Sequence, residues 1–134
     1  MECQRPTTDG RRPLMTIRRM KTYTGGQGYV YQYYFVGKRA SMIHSSETAA
    51  TEYIFDATSD RKTTFAVSVF LTEDATKKWA EAHGRALTDA ELYGSAKMRL
   101  FQAFDEVENM MVDGRQLFVN AETLERVLAT LGVD

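Results

Sequence analysis

The residues with the clearest chemistry are basic and aromatic side chains in the first third of the chain. Between Gly10 and Ser46 the sequence holds seven lysines and arginines and no carboxylate. The same stretch contains an aromatic run, Tyr29-Val30-Tyr31-Gln32-Tyr33-Tyr34-Phe35-Val36. Cationic side chains attract phosphates and carboxylates, and exposed aromatic rings stack on bases or pack against apolar partners. The pattern therefore predicts a binding surface.

Seven residues are candidates for that surface because they combine aromatic rings with nearby positive charge. They are Tyr29, Tyr31, Tyr33, Lys38, Arg39, Arg18 and Arg19. Three uses of the tyrosine-rich strand stay open: ordinary core, the wall of a ligand cavity beside a helix, or a stacking platform for single-stranded nucleic acid. Sheet-based RNA-binding modules alternate strands and helices, whereas this chain groups its strands first. We therefore expect a protein partner or a homo-oligomer, with nucleic acid or a small molecule as alternatives.

Catalytic and metal-binding groups are sparse in the sequence. The two histidines, His44 and His83, fall in a predicted loop and at a predicted helix end, and neither has a partner at metal-ligand spacing. The single cysteine, Cys3, lies in a segment with no predicted element. The acidic pairs fall at helix starts or on exposed helix faces. We expect no catalytic residue, no metal and no cofactor, which favours a binding module over an enzyme.

Length and charge bound the organisation of the chain. Its 134 residues, 43% hydrophobic, can bury an ordinary core. Residues 1–46 sum to a charge of +6 and residues 47–134 to −7, and such opposite charges favour mutual attraction within the chain or head-to-tail association between copies. No membrane span or secretory signal is predicted, so we expect a cytoplasmic protein. Residues 1–20 are predicted to form a flexible basic tail, and residues 21–134 a single α+β domain.

Strands are predicted to come first. Residues 25–28 form a turn before the tyrosine-rich strand, which should end at Gly37. Since both faces of this strand are largely apolar, we expect it to be central or covered on both sides. Residues 40–51 are small and polar and predict a loop. Residues 52–57 and 63–71 alternate apolar and polar side chains, which predicts an antiparallel hairpin with one buried face.

Helices follow the hairpin. The first is predicted to begin after Thr72 and to stop at Gly84, a residue suited to a left-handed C-terminal cap. The second begins with a capping box formed by Thr88 and Glu91. Its apolar stripe keeps helical spacing as far as Met111, so we expect one long helix to that point.

The last part of the chain adds a short strand and a helix. The Asp113-Gly114 turn either ends the long helix or closes a hairpin, and the persistence of the apolar stripe favours the helix end. Residues 116–119 are then a strand, and Asn120 and Gly132 bound the final helix. The predicted order is βββααβα. It corresponds to an α+β fold in which three helices pack mainly on one face of an antiparallel sheet of three to four strands.

Overall fold

The computed structural model describes residues 20–133 and shows an α+β fold. Within this range the elements are, in chain order, β1 (Lys21–Thr24), β2 (Val30–Ile43), β3 (Thr48–Thr58), β4 (Phe65–Thr72), α1 (Glu73–His83), α2 (Asp89–Glu106), α3 (Met110–Asp113), β5 (Gln116–Val119) and α4 (Ala121–Leu131). Arg18 and Arg19, and all of the predicted tail except Met20, lie outside the described residues. None of the helices in this range is both long and apolar enough to cross a membrane.

The strands form one curled sheet in the order β1-β2-β3-β4-β5. Strands β1 to β4 are antiparallel neighbours, but β5 pairs with β4 in parallel. The expectation of a purely antiparallel sheet of three to four strands is therefore corrected to a mixed sheet of five. The parallel pairing is possible because α1, α2 and α3 lie between the two strands and form the crossover that parallel strands need. The observed order is ββββαααβα.

Strand β2 is longer than predicted. The expected loop at residues 40–51 is mostly strand, since the β2–β3 pairing continues until Ile43 lies opposite Thr48. A bulge between Phe35 and Gly37 lets the strand continue past the glycine that was expected to end it. The small polar residues of this segment have low strand propensity, so pairing with the neighbouring strand determines their conformation.

The two faces of the sheet have different surroundings. Helices cover one face, on which Tyr53, Phe55 and Ala57 are buried as the alternation in this strand predicted. On the opposite face Val30 is 46% exposed and Val36 is 44% exposed. The prediction that the tyrosine-rich strand is central is confirmed, since β2 lies between β1 and β3. The alternative, a strand covered on both sides, is wrong, because all four helices lie on one side of it.

Helix boundaries confirm most of the predicted capping signals. The Thr72 hydroxyl accepts a hydrogen bond from the backbone of α1, and Gly84 ends that helix with φ at 75°. Thr88 and Glu91 form both hydrogen bonds of the predicted capping box at the start of α2. Helix α4 is bounded by the predicted asparagine and glycine. Short-range hydrogen bonding determines these boundaries, which makes them predictable from local sequence.

The predicted long helix is interrupted. Helix α2 ends at Glu106, and Val107 takes an extended conformation with φ −89° and ψ 120°. The chain then forms the separate short helix α3, whose first residue, Met110, is buried. Val107 and Met111 keep a helical spacing across the break, which is why the periodicity predicted one continuous helix. The break brings residues 108–112 beside the start of β2.

Candidate interaction site

A groove of about 600 Å³ opens beside the start of β2. Its lining comes from the start of β2, from the two sides of the β3–β4 turn, and from the segment around α3: Tyr29, Tyr31, Ser59, Phe65, Glu108, Asn109, Met110, Met111 and Val112. Three large side chains of this lining are well exposed: Tyr29 at 46%, Met111 at 41% and Val112 at 69%. We refer to Tyr29, Met111 and Val112 as the apolar rim.

The turn before β2 is held against the end of α2. The Asp105 carboxylate accepts hydrogen bonds from the backbone N–H of Gly26 at 2.9 Å and from the Tyr23 hydroxyl at 3.0 Å. Gly25 lies so close to the helix that an added Cβ would stand 2.5 Å from the backbone oxygen of Phe104. Only glycine permits this approach without a shift of the backbone. The contact fixes where β2 begins relative to α2.

Helix α3 forms the opposite wall of the groove. Met110 is 2% exposed and anchors the helix in the core, packed directly against Gly114. Successive helical residues lie about 100° apart around the axis, so burial of Met110 turns the next two residues away from the core. Met111 and Val112 consequently face solvent at the groove.

The β3–β4 turn is fixed by its own side chains. The Thr58 hydroxyl accepts a hydrogen bond from the backbone N–H of Arg61 at 3.0 Å. The Asp60 carboxylate accepts two more at 2.8 Å, from the N–H groups of Lys62 and Thr63. The Thr63 and Lys62 donors lower the pKa of Asp60 because they stabilise its charged form. The turn is thus well ordered by hydrogen bonds and presents Arg61 and Lys62 to solvent.

Opposite charges flank the groove. Glu108 lines the groove and Asp113 ends α3, whereas Arg61 and Lys62 lie in the β3–β4 turn between the lining residues Ser59 and Phe65. Within residues 20–133 none of these four side chains takes part in an ion pair. The groove therefore combines an exposed apolar rim with one acidic and one basic flank.

The structure separates the tyrosines of the predicted site. Tyr31 and Tyr33 are only 2% and 3% exposed. The Tyr31 ring stacks on Phe104 with a centroid distance of 4.1 Å, and Tyr33 also contacts this ring. This aromatic packing fills the space between the Tyr31–Tyr33 part of the strand and the end of α2. A pocket of about 380 Å³ lies further along, between Phe35 and the start of α2, so a ligand cavity there stays an open alternative. Only Tyr29, at the rim, offers substantial ring surface to a partner.

The predicted cations Lys38 and Arg39 lie within β2, do not line the groove, and already have partners. Lys38 Nζ lies 3.9 Å from the Asp89 carboxylate, on the helix-covered face. Arg39 lies on the open face, where its Nε donates a hydrogen bond of 2.8 Å to Glu52. The two residues are consecutive in a strand, so their side chains point to opposite faces. The described residues of the predicted site therefore do not converge on one surface.

Sequence reasoning missed the residues of α3 that line the groove. Met111 was assigned to the stripe of a continuous helix, and Val112 was assigned no role. The available signal was Asn109, a residue that favours helix N-caps and turns and that lies within the predicted helix. It marks the start of α3 in the structure, although its side chain makes no capping hydrogen bond there.

The titratable groups with strong local interactions belong to structural contacts. The Arg39 hydrogen bond is the main cause of the lowered pKa of Glu52, whose carboxylate also accepts a 2.6 Å hydrogen bond from Ser68. His83 stacks on Trp79 and lies 2.9 Å from the Glu125 carboxylate. Within residues 20–133 no three histidine, cysteine, aspartate or glutamate side chains are arranged to hold a metal ion.

Comparisons with protein-family models, with curated proteins and with solved structures find no match to this chain. Function is therefore inferred from the groove, its rim and its charges.

Proposed function

We propose that this protein is a non-catalytic interaction module that associates with a second copy of itself through the groove and its apolar rim. The observation that supports this proposal is the exposure of Tyr29, Met111 and Val112 around one groove. Tyrosine and methionine are enriched in the buried centres of protein interfaces. A small ligand inside the groove would leave the outer surface of Val112 in water, whereas a protein surface would cover it.

The flanking charges favour a second copy over an unrelated partner. In a twofold interface each surface patch meets the same patch of the other subunit, so residue i contacts residue j and residue j contacts residue i. The acidic flank of one subunit would then face the basic flank of the other. The Glu108 side of one groove would lie near Lys62 of the second copy, and this contact would occur twice. A patch with an acidic and a basic flank is complementary to itself.

Sedimentation velocity over a concentration series tests the proposal. We expect a dimer at high concentration, and we expect Met111→Glu and Val112→Glu each to weaken dimerisation at least about tenfold, since each places a charge in the apolar centre. Met42→Glu and Val36→Glu are matched controls, because Met42 is 46% exposed and Val36 is 44% exposed outside the groove. Equal weakening by the controls, or a monomer at every concentration, would reject the proposal.

A charge-swap experiment distinguishes a second copy from any other partner. Lys62→Glu alone and Glu108→Lys alone should each weaken the dimer, because each places two like charges at the proposed contact between residues 62 and 108. The double variant reverses both charges of this contact and should restore dimerisation, since residues 62 and 108 again carry opposite charges. Double-variant dimerisation no stronger than that of the single variants would contradict the twofold arrangement.

The nucleic-acid alternative has less support. A stacking platform needs accessible rings, and Tyr31 and Tyr33 are buried. Arg39, a cation assigned to that role, is hydrogen-bonded to Glu52. An affinity for single-stranded nucleic acid that falls steeply with added salt would revive this alternative.

A further inference from the structure

Two lysines converge on the side of α2 that faces β1. Lys97 Nζ lies 6.0 Å from the centroids of both the Tyr33 and the Tyr93 rings, and 5.8 Å from that of Phe101. Lys21 lies directly opposite Tyr33 in the β1–β2 pairing. Residues directly opposite each other in a sheet project from the same face, so the Lys21 side chain extends toward the same ring. The two ammonium groups therefore approach each other over Tyr33.

No carboxylate neutralises this pair among the described residues. Neither Lys21 nor Lys97 takes part in an ion pair within residues 20–133. Asp105, further along α2, is already engaged by the Tyr23 hydroxyl and by a backbone N–H. Burial lowers the pKa of Lys97, and the neighbouring charge of Lys21 lowers it further. Each effect disfavours the charged form of Lys97, and an anion bound beside it would offset them.

Lys38 provides an internal comparison. Its Nζ also lies over a tyrosine ring, 5.9 Å from the centroid of Tyr53, but it has the Asp89 carboxylate at 3.9 Å. A lysine over an aromatic ring is thus not unusual in this fold. The pairing of two such cations without an anion is what distinguishes the Lys21–Lys97 site.

The phenol groups at the site complete a set of hydrogen-bond donors. The ring of Tyr33 is buried, yet its hydroxyl is not among the buried polar atoms that lack a partner. That hydroxyl makes no hydrogen bond to another described residue, so it can donate one to a ligand. Tyr93 lies close enough to raise the pKa of Tyr33, although burial is the larger cause. The site thus places two ammonium groups beside two phenol side chains.

We propose that Lys21, Lys97, Tyr33 and Tyr93 form a binding site for a phosphate group. A phosphate carries a charge of about −1.5 to −2 near neutral pH and offers several strong acceptor oxygens. It therefore matches both the double positive charge and the number of donors. A carboxylate would balance only one of the two lysines. The apolar rim residues Tyr29, Met111 and Val112 are not part of this site, so it is independent of the proposed dimer.

Inorganic phosphate at constant ionic strength is the probe, and backbone NMR shifts are the readout. We expect saturable shifts around Lys21, Tyr33 and Lys97 with a dissociation constant of about 1 mM. Lys97→Met and Lys21→Met should each weaken binding at least about tenfold, because each removes one charge while keeping an unbranched side chain. Tyr33→Phe should weaken it less, since one donor is lost. Lys38→Met is the matched control and should bind as the unmodified chain does.

Several results would overturn the phosphate site. Shifts that do not saturate, or equal weakening by Lys38→Met, would show general screening of surface charge. Acetate binding as tightly as phosphate at the same ionic strength would show that the site does not select a doubly charged anion. Val112→Glu should retain phosphate binding, so loss of the dimer and loss of the phosphate site are distinguishable.

Discussion

Tyr29 and Tyr31 lie on the same face of the sheet, with ring centroids 6.3 Å apart, yet their surroundings differ sharply. Tyr31 belongs to a packed group, which we call the aromatic core, formed by Tyr31, Tyr33, Phe55, Phe101 and Phe104. Tyr29 belongs to the apolar rim. Tyr31 is 2% exposed, and Tyr29 is 46% exposed.

The end of α2 explains this difference. The helix covers the sheet as far as Phe104 and stops at Glu106, so the apolar face of β2 continues beyond the helix that covers it. Helix α3 does not close the gap, and the groove occupies it. One strand can thus contribute both to a buried core and to an exposed groove, because the length of the covering helix determines which of its residues are buried.

Phe104→Ala should have the largest effect on the free energy of unfolding. Phe104 is fully buried and contacts Tyr23, Tyr31 and Tyr33. Removing a buried aromatic ring leaves a cavity and costs about 3–5 kcal/mol, measurable by urea denaturation. Phe118→Ala is the control, because Phe118 is 45% exposed. A loss below about 1 kcal/mol for Phe104→Ala would contradict the description of this region as a tightly packed core.

Gly25→Ala should have the second largest effect on the free energy of unfolding, because it disturbs the contact between the turn before β2 and the end of α2. The added methyl group would meet the backbone oxygen of Phe104 at 2.5 Å, so the turn or the helix end must shift. We expect a loss of about 2 kcal/mol in the free energy of unfolding. Gly26→Ala is the matched control, since its added Cβ would be 3.5 Å from the nearest atom, an ordinary contact. Equal losses for the two variants would show that the close approach at Gly25 is unimportant.

Glu52→Gln tests a buried polar contact that belongs neither to the aromatic core nor to the apolar rim. The Arg39 hydrogen bond lowers the pKa of Glu52 from its usual value near 4.5, so the charged carboxylate stabilises the folded state. That contribution is full above about pH 4.5 and is lost as the pH falls through the lower folded-state pKa. The variant should lose about 1–2 kcal/mol at pH 7. Its stability should also depend less steeply on pH below 4.5, as urea titrations at several pH values would show. A slope identical to that of the unmodified chain would contradict this role.

Val112→Glu should have the smallest effect on folding. Val112 is 69% exposed, and an exposed substitution usually changes the free energy of unfolding by less than about 0.5 kcal/mol. The same variant should weaken dimerisation. A change in the aromatic core should therefore affect mainly the free energy of unfolding, whereas a change in the apolar rim should affect mainly association. Urea denaturation under dilute, monomeric conditions measures the first quantity. A loss above about 2 kcal/mol there would mean that Val112 belongs to the core.

Local signals made the helix boundaries and the buried faces predictable from sequence. Thr72, Thr88 and Asn120 act through hydrogen bonds to residues three positions away, so their role is visible in a short window. The alternation around Phe55 likewise identifies the buried face of β3.

Long-range pairing was not predictable in the same way. Residues 21–24 were not assigned to any element, and they become β1 because they pair with β2. The parallel pairing of β5 with β4 depends on how three intervening helices pack, which no local pattern encodes. The candidate site shares this limit, since Tyr29 and Val112 are far apart in sequence and adjoin only because α2 ends at Glu106.

Intermolecular NOEs in a mixed dimer test the central claim most directly. One population would carry ¹³C-labelled methionine methyl groups and the other would be unlabelled, so that filtered NOEs arise only between subunits. We expect intermolecular NOEs from the Met111 methyl group to aromatic protons of the second copy, and none from the Met42 methyl group. Intermolecular NOEs from Met42 with none from Met111, or no intermolecular NOEs at millimolar concentration, would contradict it.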